Sequence, residues 1–344
     1  MTKVKKVLIV NPDFWIDGGA ERVIVRLANY LTDKNIEVCI LTCNIIPEVK
    51  CQLKEARIIT SRDFAELSRD FQAICQDFDA INIHNTPCEL LPYSRKLNVT
   101  WLCNEPPKFD GEKCDISDKE REIVRKFIKK VVVADEFNQK RFKEIYGMDS
   151  TINNYGIDYD FFKEGEPKNI IEKYHLQNNF VVTQVAFIHE TKNQLRTINI
   201  FREIKNKIPN AKLILAGTET KYKEIVEKRS IMRGLKDDVI FTGHLPRNEI
   251  RDLYHASDVV IQPCRAQGSW LSVFEAMSAK KPVIISKEMT ASSIFEKENI
   301  GYIEGFVKHT LEVKKGHLKD DSEWVKNNLS WERFCNKMLE VFNE

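Results

Sequence analysis

Val4–Lys34 reads VKKVLIVNPDFWIDGGAERVIVRLANYLTDK. Val4–Val10 is a short apolar, β-branched run behind two lysines, the composition of a strand buried in a parallel sheet. It ends at Asn11-Pro12, and a loop carrying Gly18-Gly19 follows. Val23, Leu27, Tyr30 and Leu31 then recur at the spacing of one helix face. Strand, glycine loop and helix in that order are the repeating unit of a doubly wound α/β sheet.

The alternation continues outward. EVCILTC (37–43), ARIIT (56–60), DAINIHN (79–85), NVTWLCN (98–104) and VVVAD (131–135) read as strands. FAELSRDFQAICQDF (64–78), DKEREIVRKFIKK (118–130) and EFNQKRFKEIYG (136–147) read as helices. TINNYGIDYDFFKEGEP (151–167) breaks the periodicity with two glycines and a proline and reads as a connector. Strands then return at NNFVVTQVAFI (178–188), AKLILAG (211–217), DVIFTG (238–243), DVVIQPC (258–264) and KPVIIS (281–286), with helical segments between them. The expected organisation is two α/β domains, 1–155 and 156–328, facing across a cleft at their strand carboxyl ends. The amphipathic end SWERFCNKMLEVFNE (330–344) is expected to pack back on the first domain as a helix over 329–344.

Length and composition agree. At 344 residues the chain is too long for one core and suits two domains of roughly 150 to 200 residues. With 42% hydrophobic and 30% charged residues it is too apolar to be disordered. Fifty-three Lys and Arg against fifty-one Asp and Glu give a net charge of +2, which makes no case for nucleic-acid binding by bulk electrostatics. Nine cysteines, an odd number without a C-x-x-C pair, argue against a disulfide framework and a zinc site and for a reducing compartment. No run approaches the ~20 apolar residues of a membrane helix, and the N-terminus turns polar too early for a signal peptide. A cytoplasmic location is expected.

The chemistry concentrates in DVVIQPCRAQGSWLSVFEAMSAKKPVIIS, Asp258–Ser286. A strand enters a polar loop with Gly268 and Ser269, and a helix opens whose first backbone amides and positive dipole end suit a diphosphate. Gln267 in the loop and Glu275 inside the helix are eight residues apart and can reach one ligand. A carboxylate at Glu275 can accept from adjacent ribose hydroxyls, and Gln267 can bond a sugar hydroxyl; Glu275 facing solvent is the other reading.

QPCRAQGSWLSVFEAMSAKKPVI resembles the donor-site signature of the retaining glycosyltransferases of family 4, in which a Glu-x7-Glu pair spans this loop and helix. NPDFWIDGGAERVIVRLANYL resembles that family's glycine loop, NNYGIDYDFF its interdomain junction, AKLILAGT and DVIFTGHLPRNEIRDLYHASDVVIQP its donor domain, and SWERF its closing helix. The resemblance implies the GT-B fold, two Rossmann-like domains, and donor contacts at Gly18, Gly19, Lys192, Gly243, His244, Gln267, Gly268, Ser269, Trp270, Leu271, Ser272 and Glu275. Lys192, Gln267 and Glu275 take the catalytic roles, with Lys192 on the donor diphosphate. The sequence also departs from the family. Gln267 stands where the first Glu is usual, Trp270 where a second glycine is common, and Phe187 where an arginine partners the lysine. Arg265, Arg196 and Arg22 are the candidates to replace that cation.

In the first domain, His84, Asn104 and Glu105 stand at strand ends where the resemblance implies the acceptor pocket. The 118–130 helix carries Arg121, Arg125, Lys126, Lys129 and Lys130 around apolar residues, and reads either as a peripheral membrane face or as a packed helix with a solvated basic side. The expected activity is retaining transfer of a sugar from a nucleotide diphosphate sugar to a hydroxyl of a glycan, glycolipid or similar acceptor. No metal or other cofactor is expected: no D-x-D lies in a suitable loop, and protein cations meet the leaving diphosphate. Three rivals are weighed against it. A sugar-nucleotide epimerase shares the fold and needs no acceptor. A nicotinamide oxidoreductase should carry G-x-G-x-x-G after its first strand, and NPDFWIDGGAER does not. A catalytically degenerate partner subunit or sugar-nucleotide sensor is what Gln267 and Phe187 favour.

Overall fold

The computed structural model describes residues 4–94, 96–104, 106, 116–265 and 270–344. The chain folds as two compact units, Met1–Gly156 with Trp331–Glu344, and Ile157–Ser330.

The sheet of the first unit contains β1 (Lys6–Val10), β2 (Glu37–Thr42), β3 (Arg57–Thr60), β4 (Ala80–Ile83), β5 (Val99–Leu102), β6 (Lys130–Val133) and β7 (Thr151–Ile152). Their order is β3-β2-β1-β4-β5-β6-β7 and every pairing is parallel. Val7 pairs with Val38 on one side and Ala80 on the other, so β1 is central, which explains its unbroken apolar run. The order reverses between β1 and β4. Connections leaving these two strands diverge, and open α/β sheets bind ligands at that opening.

The second unit repeats the plan with β8 (Phe180–Val185), β9 (Ala211–Ala216), β10 (Val239–Gly243), β11 (Val259–Gln262), β12 (Val283–Ile285) and β13 (Tyr302–Ile303). The order β10-β9-β8-β11-β12-β13 is again parallel throughout, with its reversal between β8 and β11. The helices used below are α1 (Gly19–Asp33), α2 (Asp118–Phe127), α3 (Glu136–Tyr146), α4 (Gln194–Lys207), α5 (Tyr222–Met232), α6 (Arg247–Ala256), α7 (Trp270–Ser278) and α8 (Trp331–Asn343).

Local chemistry fixes several boundaries. A capping box starts α2, where Ser117 Oγ accepts from the Glu120 amide at 3.2 Å and Glu120 Oε2 accepts from the Ser117 amide at 2.7 Å. α2 stops at Phe127, earlier than the sequence pattern predicts, because Ile128 turns extended and Lys130 opens β6, where Val131–Val133 are buried. Lys130 Nζ donates to Asn98 Oδ1 at 2.7 Å and to the Val341 carbonyl at 2.8 Å, and Arg125 Nε donates to the Tyr146 carbonyl at 2.5 Å. The continuous basic face expected over 118–130 is therefore broken. Lys129 and Lys130 lie beyond the helix, and Arg125 and Lys130 point at carbonyls of their own unit. No helix among the described residues is long and apolar enough to cross a membrane.

The last helix belongs to the first unit. Asn153 Nδ2 donates to the Phe334 carbonyl at 3.0 Å, Asn98 Nδ2 to the Phe342 carbonyl at 2.8 Å, and the Val4 amide to Asn343 Oδ1 at 3.0 Å. α8 also runs beside α1, where Tyr30 hydrogen-bonds Asn336.

Candidate functional site

In the second unit the segments leaving β8 and β11 are joined by hydrogen bonds. Buried Gln184 on β8 donates from Nε2 to the Lys192 carbonyl at 2.8 Å, while its Oε1 accepts from Thr197 Oγ1 at 2.6 Å. Asn193, left-handed at φ 57°, donates from Nδ2 to the Pro263 carbonyl at 3.1 Å. The Arg265 amide donates to the Thr191 carbonyl at 3.1 Å. The turn carrying Lys192 and the segment that leads toward α7 are thus one braced body at the reversal of the sheet. Lys192 is half-buried there and Arg265 is exposed. The fit around β8 is close: a Cβ on Gly217, at φ +148°, would stand 2.2 Å from the Ala186 carbonyl oxygen.

Of the three cations considered in place of an arginine at Phe187, Arg196 is committed elsewhere. Its guanidinium meets Glu304 at 2.6 Å and Glu288 at 3.3 Å and lies over the Phe306 ring. Arg22 sits on α1 of the first unit. Arg265 is the one beside Lys192, a relationship that spacing in the sequence does not disclose.

Glu275 does not face solvent. It is 6% exposed on α7, and Tyr254 Oη on α6 donates toward its Oε2 at 3.4 Å and toward the Ser272 carbonyl at 3.1 Å. Gln262, at the end of β11, donates from Nε2 to Ser272 Oγ at 3.1 Å and to the Val185 carbonyl at 2.8 Å, tying α7 to both central strands. Trp270 and Leu271 are buried, the Trp270 ring packing on Phe274. Gly243 closes β10 at φ +70° and accepts at its carbonyl from the Gly217 amide. His244 beside it is exposed, with Nδ1 3.4 Å from Thr218 Oγ1. Gln267, Gly268 and Ser269 lie outside the described residues, as does Glu105.

In the first unit the Gly18-Gly19 turn opens α1, and the Gly18 amide is already bonded within the chain. The Glu21 carboxyl folds back and accepts from the main-chain amides of Gly18 and of Glu21 itself. A Cβ on Gly18 would stand 2.7 Å from Glu21 Oε2, so the carboxyl lies close against the turn. Burial pushes the Glu21 carboxyl above its ordinary pKa, against the pull of the two amides. The helix end thus already holds an acid of its own.

An uncharged chain of side chains crosses the strand ends of the same unit. Asn85 Nδ2 donates to Asn11 Oδ1 at 2.9 Å, Asn104 Nδ2 to Asn85 Oδ1 at 3.1 Å, and Tyr155 Oη to Asn104 Oδ1 at 2.7 Å. Asn85 and Asn104 are half-buried at the edge. His84 is not: its ring is fully buried, with Nε2 2.8 Å from Asn82 Oδ1, and burial pushes its pKa down to about 3. This corrects the expectation of a direct acceptor contact at His84, because the ring that would make it is sealed behind the strand end. Asn85, its neighbour, takes the edge position. The sequence signal was present in three strands that each run into an asparagine, VLIVN, INIHN and WLCN.

Residues 166–311 match the family described as glycosyl transferases group 1. A GDP-mannose-dependent alpha-(1-6)-phosphatidylinositol monomannoside mannosyltransferase of Mycolicibacterium smegmatis is 24% identical over 168 residues, 46% of this chain and 44% of that protein. The putative glycosyltransferase EpsD of Bacillus subtilis is 24% identical over 49% of this chain and 45% of its own. The matched region thus spans about half the length of these curated relatives. Among solved structures, Anabaena HepE in complex with UDP and glucose superposes with a TM-score of 0.84 at 15% identity, over 98% of this chain and 99% of that one. A glycosyltransferase of Rickettsia africae gives 0.78 at 18% identity, over 99% and 98%. At such identities the likeness carries the fold, two Rossmann-like units of the GT-B type.

Proposed function

We propose that this chain is a retaining glycosyltransferase that moves a sugar from a nucleotide diphosphate sugar to an acceptor hydroxyl in glycan or glycolipid assembly. The observation that carries the reading is the braced junction of Lys192 and Arg265 at the reversal of the second sheet, next to α7. The activities of the relatives and the UDP bound by HepE agree with it.

In this reading the departing nucleoside diphosphate gathers negative charge as the sugar bond breaks, and that charge is met by Lys192 and Arg265 held in place beforehand. Glu275 binds the ribose hydroxyls, with Tyr254 beside its carboxyl. The acceptor attacks from the face the diphosphate leaves, so no enzymic nucleophile is assigned, and two protein cations do the work a metal does elsewhere. At the Gly18-Gly19 turn Glu21 already bonds the Gly18 amide, so a phosphate there requires that carboxyl to move aside. On the acceptor side, Asn85 and Asn104 each keep amide capacity beyond the bonds they make to one another, which suits sugar hydroxyls.

The test is a thermal-shift screen with UDP, GDP, ADP and their sugar conjugates, followed by mass spectrometry of products with the stabilising donor. An acceptor heavier by one sugar residue supports transfer. A sugar nucleotide converted without mass change means epimerisation, and stabilisation without turnover means a binding subunit. No stabilisation by any nucleotide overturns the reading.

A further inference from the structure

The carboxyl ends of β8, β9 and β10 are tied edge to edge. The Ile188 amide, just past β8, donates to the Thr218 carbonyl at 2.9 Å, and Thr220 Oγ1 donates to the Ile188 carbonyl at 2.7 Å. The Gly217 amide donates to the Gly243 carbonyl at 3.0 Å, and Thr218 Oγ1 lies 3.4 Å from His244 Nδ1. A continuous shelf therefore runs from the segment that carries Lys192, across the 217–220 turn, to the end of β10. Two strand gaps make it about 10 Å wide. α6 springs from the far side of this shelf and carries Tyr254, which stands against Glu275. A nucleotide with its diphosphate at Lys192 and its ribose at Glu275 lays its base on the β9 and β10 ends of the shelf.

One side chain there distinguishes bases. Glu219 Oε2 accepts from Lys223 Nζ at 2.9 Å, and Lys223 is itself steadied by Glu227 at 3.5 Å and by the Phe241 ring of β10, whose centroid lies 5.6 Å away. Glu219 Oε1 lies toward the end of β10, 4.0 Å from where a Cβ on Gly243 would stand. Glycine at 243 puts no side chain in front of that oxygen, and the Glu219 side chain is 32% exposed, so a ligand can reach it. Paired with Lys223, the carboxyl is ionised and can only accept hydrogen bonds. Guanine offers such an acceptor two adjacent donors, N1–H and the N2 amine. Uracil offers N3–H alone, between two carbonyl oxygens that repel a carboxylate. Adenine and cytosine each offer one amine beside a ring nitrogen whose lone pair repels it.

We propose that Glu219 selects the base and that the donor nucleotide is a guanosine diphosphate, with the N1–H and N2 amine edge of guanine on the Glu219 carboxylate. The inference rests on the donor reading above and adds the identity of the base to it.

Calorimetry of the full chain with GDP, inosine diphosphate, UDP and ADP tests it. Inosine diphosphate keeps N1–H and lacks only the exocyclic amine of GDP. The parent is expected to bind GDP at least about tenfold more tightly than any of the other three, the low end for one hydrogen bond to a charged acceptor. Glu219→Gln keeps the shape and removes one acceptor and the charge. It should narrow the gap between GDP and inosine diphosphate to about threefold or less and leave UDP within about threefold of its parental affinity, a cycle that separates contact with the amine from a general loss of binding. The position is at the surface, and an unchanged melting temperature confirms that the variant is folded. UDP or ADP bound as tightly as GDP overturns the choice of base and leaves the donor reading standing, as does a Glu219→Gln variant that keeps the parental gap between GDP and inosine diphosphate. Binding of none of the four overturns the donor reading and this inference together.

Discussion

Tyr254 Oη on α6 lies 3.4 Å from the Glu275 carboxylate on α7, and the same phenol reaches the Ser272 carbonyl at 3.1 Å. The phenol's single proton is shared between the Ser272 carbonyl and, at the longer distance, the carboxylate, so the tyrosine stands against both. Under the ribose reading, Glu275→Ala removes the acceptor of two hydroxyl bonds and should weaken nucleoside diphosphate binding by about 1.5 to 3 kcal/mol. Tyr254→Phe leaves the acceptor and removes only its support, at about 1 kcal/mol. Calorimetry on both variants checks the order of effects. Equal affinity of the Glu275→Ala variant and the parent would remove Glu275 from the site.

Lys192 and Arg265 are expected to act on phosphate rather than on base or sugar. Lys192→Ala should cost about 1.5 to 3 kcal/mol in nucleoside diphosphate affinity, the range for a hydrogen bond to a charged group. Arg265→Ala should cost a comparable amount and leave the weak binding of the bare nucleoside unchanged. Phe187 sits in the same segment, its carbonyl bound by Gln194 Nε2 at 3.0 Å, so Phe187→Arg in the Arg265→Ala background should recover part of the lost affinity. If Arg265→Ala binds the diphosphate as tightly as the parent while Lys192→Ala does not, the second cation has been misassigned.

These two predictions differ in how much of them the sequence discloses. Apolar strand runs, glycine loops and helix periodicity lead to both parallel sheets, because a parallel strand buried on both faces reads as a continuous apolar run such as Val7–Val10 or Val259–Ile261. The stretch from Ser286 to Ser330 is opaque. Its elements are only two to nine residues long and are cut by left-handed residues at Asn299, Gly301, Glu304 and Gly305, so no period develops. The candidates Lys192 and Glu275 are named from the family resemblance of their segments. The withdrawal of Arg196 is not legible in the sequence, since Glu288 and Glu304 are 92 and 108 residues away in it. Glu21 stands in plain view beside Gly18-Gly19, yet its folding back onto the Gly18 amide depends on the cost of burial and on backbone geometry, neither of which composition conveys.

His84 makes stability pH-dependent in a defined direction. Its pKa is pushed down to about 3 in the folded chain by burial alone, from an ordinary 6.5. Between those values the unfolded chain binds a proton that the native chain refuses, so native stability rises with pH and is lost on acidification below 6.5. The slope approaches about 1.4 kcal/mol per pH unit for one such group. Urea denaturation at pH 7 and pH 5 should show a loss in the parent that is smaller in His84→Gln. An identical loss in both proteins would show that the ring does not titrate as its burial requires.

The contact of Gly156 with Trp331 sets how α8 is attached. A Cβ at Gly156 would stand 2.4 Å from Trp331 Cα and 2.5 Å from its backbone nitrogen, and backbone cannot rotate away as a side chain tip can. The Trp331 ring meets Phe334 edge-on, and Phe334 in turn packs on Tyr155, so displacement at Gly156 spreads along the helix start. Gly156→Ala should therefore destabilise the first unit by about 1 to 3 kcal/mol, the cost of forcing added volume into a packed contact. Hydrogen exchange should rise first in the amides of α8, ahead of those in β1, because the central strand is held by partners on both sides. If exchange in α8 stays at the parent's level, the helix is not anchored through this contact, and Asn153 with Asn98 must hold it instead.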